Sequence, residues 1–241
     1  LLTLGEFSYP NPAKGAPDRM PVSAYLVRTS KGKNILIDTG APASTNTAMK
    51  CEERVPPGEL FVKPGDDVAD QLGRLGLQPR DIDLLVTTHF DWEHCGRHDL
   101  FAAAGTPVLV QGAHYDYAIN HPERYDRSLF DFEGWNYQFV EGDVEIERGL
   151  ILLETSGEAT GHQSVYVNTV NGPVLLTVDA IPWPSIAQTR EFPDWTENPV
   201  QANESIDKLM EFALDTRAFT IFGHDAVQWG ALPHAPRAFS R

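Results

Sequence analysis

The order of strand and helix signals predicts an α/β fold, a four-layer αββα sandwich with two sheets packed face to face and helices outside. Three observations carry this expectation. Hairpin signals occur in both halves of the chain, helical periodicity falls between them, and several apolar strands end on histidine or aspartate. The 241 residues, 41% of them hydrophobic, suit one domain over residues 1–241 built from two similar halves.

The elements follow in order. Residues 25–29 and 34–38 flank Lys31-Gly32-Lys33, a hairpin signal. Val68, Leu72 and Leu75 lie at helical spacing, which predicts a helix over residues 67–75. Residues 82–86 are an apolar run that reads as a buried strand, and a short helix is predicted over 113–120. Residues 144–146 and 150–154 flank Arg148-Gly149, and residues 164–170 and 173–178 flank Asn171-Gly172, a type I′ turn signal. A helix is predicted over 203–217 with Asn203 as N-cap and Ile206, Leu209, Met210, Ala213 and Leu214 as its apolar stripe. Residues 218–222 then read as a buried strand.

Bulk properties exclude some functions. The formal net charge of −15 repels a phosphate backbone and argues against a nucleic-acid partner. No apolar run reaches the roughly 18 residues of a membrane span, and no signal-peptide pattern is present. The two cysteines, Cys51 and Cys95, form no framework, which fits a reducing cytoplasm, and Cys95 reads as a buried structural thiol. Aromatic residues over 115–139 and 183–195 are candidates for a substrate rim, with loop packing as the alternative.

The densest chemistry follows the strand at 82–86. His89, Asp91, Glu93 and His94 fall within six positions. On an extended segment side chains two apart share a face, so His89, Asp91 and Glu93 are expected to converge, with His94 swinging in as the chain turns at Gly96. Imidazole and carboxylate together suit zinc, iron or manganese. Burying them without a metal would be costly. Further along, His162 stands in Thr160-Gly161-His162-Gln163-Ser164, and Asp179 and His224 each end an apolar strand.

This series resembles the metallo-β-lactamase superfamily, whose metal motif is usually His-x-His-x-Asp-His. Here it reads His-x-Asp-x-Glu-His, so Asp91 and Glu93 depart from the pattern. The match runs from about residue 20 to 230 and implies the same αββα fold. Cys95-Gly96-Arg97-His98-Asp99-Leu100-Phe101, Val110-Gln111 and Gly161-His162-Gln163-Ser164 are similar to the N-acyl-homoserine-lactonase-like branch. By that resemblance His89, Asp91 and His162 would hold a first ion, and Glu93, His94 and His224 a second. Asp179 would bridge them, and Asp38, in Ile35-Leu36-Ile37-Asp38-Thr39-Gly40, would brace the metal loop. The Tyr that the lactonases carry shortly after the bridging Asp has no counterpart in Ala180-Ile181-Pro182-Trp183, which puts lactone opening in question.

The resemblance implies a metal-dependent hydrolase of a small ester, lactone or amide, using a metal-bound hydroxide, with Asp179 and Glu93 as catalytic carboxylates. It implies two divalent ions, zinc by family likeness. The carboxylates Asp91, Glu93 and Asp179 instead favour manganese or iron. A small-molecule substrate is the expected partner, with a homodimer as a family-level expectation. Two alternatives stay open. One is a diiron redox enzyme acting with oxygen or nitric oxide, since flavodiiron proteins also carry an acid at the second motif position. The other is a non-catalytic small-molecule binder. His98 and His114 are candidate acid/base groups at the mouth, and Trp92 a candidate pocket wall.

Overall fold

A computed structural model describes residues 1–8, 15–42 and 59–239. Cys51 lies outside the described residues. The first sheet holds β1 (Leu2–Ser8), β2 (Met20–Arg28), β3 (Asn34–Ile37), β4 (Glu59–Phe61), β5 (Leu84–Val86), β6 (Val108–Gln111) and β7 (Tyr137–Val140), in the spatial order β4-β1-β2-β3-β5-β6-β7. Its hairpin strands pair antiparallel, and β3, β5, β6 and β7 run parallel. The second sheet holds β8 (Val144–Glu147), β9 (Leu150–Glu154), β10 (Gln163–Thr169), β11 (Gly172–Val178) and β12 (Phe219–Phe222), in the order β12-β11-β10-β9-β8. Only β11 and β12 pair parallel there, because a helical crossover separates them.

Period-two alternation sorts the side chains into layers. Ile35, Ile37, Val86 and Leu109 of the first sheet meet Leu150, Leu152, Val165, Val174, Leu176 and Ile221 of the second in one buried cluster. On the opposite faces Leu36, Leu85 and Val108 pack with Val68 and Leu72 of α1 (Val68–Arg74) and Phe101 of α3 (His98–Ala104). Leu153 and Leu175 pack with Ile206, Leu209 and Ala213 of α6 (Pro199–Thr216). The architecture is therefore the expected αββα sandwich. The remaining helices are α2 (Trp92–Cys95), α4 (Gly112–Ala118), α5 (Pro184–Thr189) and α7 (Ala226–Ala231).

Several local expectations shift. The α6 cap is Asn198, whose side chain accepts from the amides of Val200 and Gln201, with Pro199 in the first turn. The helix thus begins earlier than Asn203, because Asn198-Pro199 is the stronger start signal. Its stripe is narrower than expected: Met210 is 37% and Leu214 76% exposed. The β10–β11 register pairs Thr169 with Gly172, so the two-residue loop is Val170-Asn171, and Gly172 opens the next strand. Arg148-Gly149 is the loop of the β8–β9 hairpin, as its pairing of Glu147 with Leu150 requires.

Candidate metal centre

The strand ends of both sheets point their loops at one place. β5 stops at Val86, and Thr87 to Asp91 lead into α2, with Asp91 at the N-terminal flank but making no side-chain capping bond. The motif is therefore a loop followed by a short helix, not a continuous extended segment. This corrects the expectation that His89, Asp91 and Glu93 share one face. Helical turning sends Glu93 and His94 to one group and leaves His89 and Asp91 in another.

The first group joins Glu93, His94, Asp179 and His224, all buried, with one donor atom of each within 4.8 Å of the others. His94 Nε2 lies 3.4 Å from Asp179 Oδ1, and His224 Nε2 lies 3.0 Å from Asp179 Oδ2. The second group joins His89, Asp91 and Glu158 within the same limit. His89 Nε2 lies 3.5 Å from Asp91 Oδ2, 3.8 Å from Glu158 Oε2 and 4.0 Å from Asp179 Oδ2. Asp179 thus faces both groups. The His162 ring lies 5.0 Å from that of His89, centroid to centroid.

All four imidazoles are oriented the same way. Nδ1 of His89 meets Thr88 Oγ1, that of His94 meets Asp38 Oδ2, that of His162 meets Thr155 Oγ1, and that of His224 meets the Pro21 carbonyl. Each of these partners can accept the Nδ1 proton, which leaves the Nε2 lone pairs directed inward. Asp38 also accepts from the amide and hydroxyl of Thr88, so one carboxylate fixes both sides of the motif loop. Six buried donor atoms here have no hydrogen-bond partner: His89 Nε2, Glu93 Oε2, His94 Nε2, Glu158 Oε2, His162 Nε2 and Asp179 Oδ1. Unpartnered polar atoms this concentrated make a candidate cation site, and their mix of imidazole and carboxylate fits a divalent transition metal.

Electrostatics follow from burial and pairing. Burial pushes Glu93 up to about 7, with His94 opposing and the neighbouring Asp91 and Asp179 adding to the rise. Burial also raises Glu158 well above the usual carboxylate range, against the pull of Arg124. For Asp179 burial acts upward, but His224 and His94 outweigh it and hold the carboxyl well down. Asp91 is likewise held low by Arg124 and His89 against its burial. His94 and His224 are raised because Asp179 overcomes their burial, whereas burial lowers His162.

Arg124 and Glu158 were not legible as site residues. Arg124 forks onto Asp91, with Nε 3.0 Å from Oδ1 and Nη2 2.6 Å from Oδ2, and Nη2 also reaches Glu158 Oε1 at 2.6 Å. The available signal was an acid four residues before His162 in a glycine-bounded turn.

Other candidates resolve differently. His98 is fully buried beside Trp135 and Phe90, with Nε2 on Thr87 Oγ1, so it supports the strand end and does not reach a mouth. His114 is also fully buried, and its Nε2 accepts from the Phe90 amide while Nδ1 donates to the Thr160 carbonyl. It clamps the loop of His89 to the loop of His162. Gly161, at φ +71°, lets that loop pass against the His114 backbone, where a side chain would collide. Trp92 packs edge-on against Phe7. The aromatic run is largely core: Phe90, Tyr125 and Phe130 are buried together, with Tyr115, Tyr117 and Tyr137 against them. Trp183 is 2% exposed and belongs to the core, not a rim. Cys95 is a buried free thiol that donates to the Phe90 carbonyl, as expected.

Known proteins match this arrangement. The family model described as the Metallo-beta-lactamase superfamily covers residues 17–224. An N-acyl homoserine lactonase from Bacillus sp is 34% identical over 213 residues, spanning 87% of this chain and 83% of the relative. The N-acyl homoserine lactonase AttM of Rhizobium radiobacter is 29% identical over 248 residues, spanning 95% and 91%. A solved N-acyl homoserine lactone hydrolase, with N-hexanoyl-L-homoserine bound at its catalytic metal center, superposes with a TM-score of 0.88 at 27% identity, covering 99% of this chain and 96% of that one. A metal-dependent hydrolase is the class that fold and site define. The chain belongs to the metallo-β-lactamase superfamily, in the branch of the N-acyl homoserine lactonases.

Proposed function

We propose that this protein opens the ring of a small lactone, an N-acyl homoserine lactone or a near relative, by metal-dependent hydrolysis. The observation that carries the reading is the set of six unpartnered buried donors where loops from both sheets meet. We assign His89, Asp91 and His162 to one divalent ion, Glu93, His94 and His224 to a second, and Asp179 between them. Bound there, the ions would supply an acidified water and positive charge beside the carbonyl oxygen. In this reading Asp179 would orient that water, and Glu93, pushed up to about 7 by burial, would take its proton. One water is added, the ring ester C–O bond breaks, and a hydroxy acid leaves. No Tyr follows Asp179 closely, and Trp183 is packed into the core, so neither is assigned to the carbonyl.

The oxygen-rich donor set supports manganese or iron over zinc. Residues 1–241 act in this reading as one domain of two similar halves, since donors come from both. We carry a homodimer and a cytoplasmic setting as part of the proposal, to be tested by size-exclusion chromatography and fractionation. Among the described residues no helix is long and apolar enough to cross a membrane.

The test is hydrolysis of N-hexanoyl homoserine lactone followed by acid release. Chelation should abolish turnover, and added Mn(II) or Zn(II) should restore it. Turnover unchanged by chelation, or no turnover of lactones and esters by metal-loaded protein, would end the proposal.

A further inference from the structure

Glu158 lies in the turn between β9 and β10, four residues before His162, and is 5% exposed. Its two oxygens face different ways. Oε1 takes the Arg124 Nη2 hydrogen bond at 2.6 Å. Oε2 is buried without a partner and stands 3.8 Å from His89 Nε2, which is itself buried and unpartnered. Asp91 repeats the pattern: Arg124 engages its carboxylate from one side, and Oδ2 stands 3.5 Å from the same His89 nitrogen. Two donors each about 2.1 Å from one ion, at tetrahedral to trigonal angles, are about 3.4–3.6 Å apart. The separations around His89 are close to that spacing.

We propose that Glu158 is a ligand of the first metal ion, a carboxylate donor added to the set in which Asp91 stands where the superfamily has imidazole. The inference rests on the metal-dependent reading above and extends it. All five Arg124 N–H donors are taken, by both Asp91 oxygens, Glu158 Oε1 and the carbonyls of Glu158 and Trp195, so pairing with Arg124 accounts for Oε1 and leaves Oε2 without a role. Charge closes locally. Asp91, Glu158 and the shared Asp179 carry three negative charges, and a divalent ion with Arg124 carries three positive. The ion suited to this oxygen-rich subsite is a harder one, Mn(II) or Fe(II), while the other subsite, with two imidazoles and two carboxylates, is more even.

The experiment is a Mn(II) titration of the chelator-stripped full chain, with free Mn(II) read by electron paramagnetic resonance. Wild type should bind two ions. Glu158→Gln should weaken one of them at least tenfold and leave the other within twofold. Glu197→Gln should keep both, because Glu197 pairs with Arg124 Nη1 at 3.2 Å without belonging to the donor group. Two ions at wild-type affinity in Glu158→Gln, or equal loss in Glu197→Gln, would overturn the assignment. If Glu158→Gln fails to fold, a Mn(II)-soaked crystal of wild type decides. Anomalous density about 2.2 Å from Glu158 Oε2 supports the proposal, and a first ion beyond bonding distance ends it. Wild type that binds two ions but opens no lactone would end the lactonase reading and leave this one standing. Wild type that binds one ion and opens lactones would do the reverse.

Discussion

At the residue scale, the site depends on groups whose outer partners are as specific as their inner ones. His94 is held by Asp38 and faces Asp179, so Asp38→Asn should keep the fold yet loosen the metal loop. We expect metal affinity to fall about 10–100-fold, measured by competition with a chromophoric chelator. Arg124 is the counterpart on the other side. It is the shared cation of Asp91 and Glu158, so Arg124→Met leaves one half-buried and one buried carboxylate without it. Metal-free Arg124→Met should lose about 3 kcal/mol of stability in urea denaturation, because an unpaired buried charge costs more than the pair contributes. A loss under about 0.5 kcal/mol, the size of an ordinary surface change, would show that the network is solvated and weak.

At the element scale, strand ends and short turns do the positioning. Val178, just before Asp179, holds φ +48°, an unusual conformation for a β-branched residue. Such strain persists where surrounding structure over-determines it, and here it aims a carboxylate that faces both donor groups. Gly161 is similarly constrained by the close approach of His114. Gly161→Ala should cost about 2 kcal/mol or more and shift His162, read as lower thermal stability and lower metal content together. The helix α6 offers a cleaner comparison. Asn198→Ala should cost about 1 kcal/mol by removing the cap, while Asn203→Ala should cost less than about 0.5 kcal/mol. Equal losses from the two would contradict the helix start described above.

At the scale of the whole molecule, burial of neutral histidines makes stability depend on pH. Burial pushes His98 and His114 each down to about 3. The unfolded chain, with a His value of about 6.5, then binds more protons than the folded one between those values. Their contribution to stability is full above about pH 6.5 and falls as pH drops toward 3, by up to about 1.4 kcal/mol per unit for each residue. Glu93 and Glu158, raised by burial, act in the opposite sense over the same range, so the readout is the difference between wild type and His98→Asn: urea midpoints from pH 7 to pH 5 should fall less, or rise more, in His98→Asn. An unchanged slope would mean that His98 is protonated in the folded state. Metal acts on the same balance. A divalent ion at a hundred times its dissociation constant should stabilise the protein by about 2.7 kcal/mol, visible as a raised thermal midpoint.

The sequence by itself determined what is local. Strand and helix periods, the hairpin turn at Arg148-Gly149 and the apolar strands ending near His89, Asp179 and His224 are set by neighbours a few residues apart. The family pattern in those residues was legible for the same reason. The family resemblance already divided His89 and Asp91 from Glu93, His94 and His224; tertiary structure supplied the distances between loops far apart in the chain that bring each group together. It separated Glu93 from Asp91 by a helical turn, buried His98 and His114 as supports, and put most of the aromatic run into the core. It also brought Arg124 and Glu158 to Asp91, a pairing that no periodicity encodes, since its energy comes from removing three charged groups from water in one place.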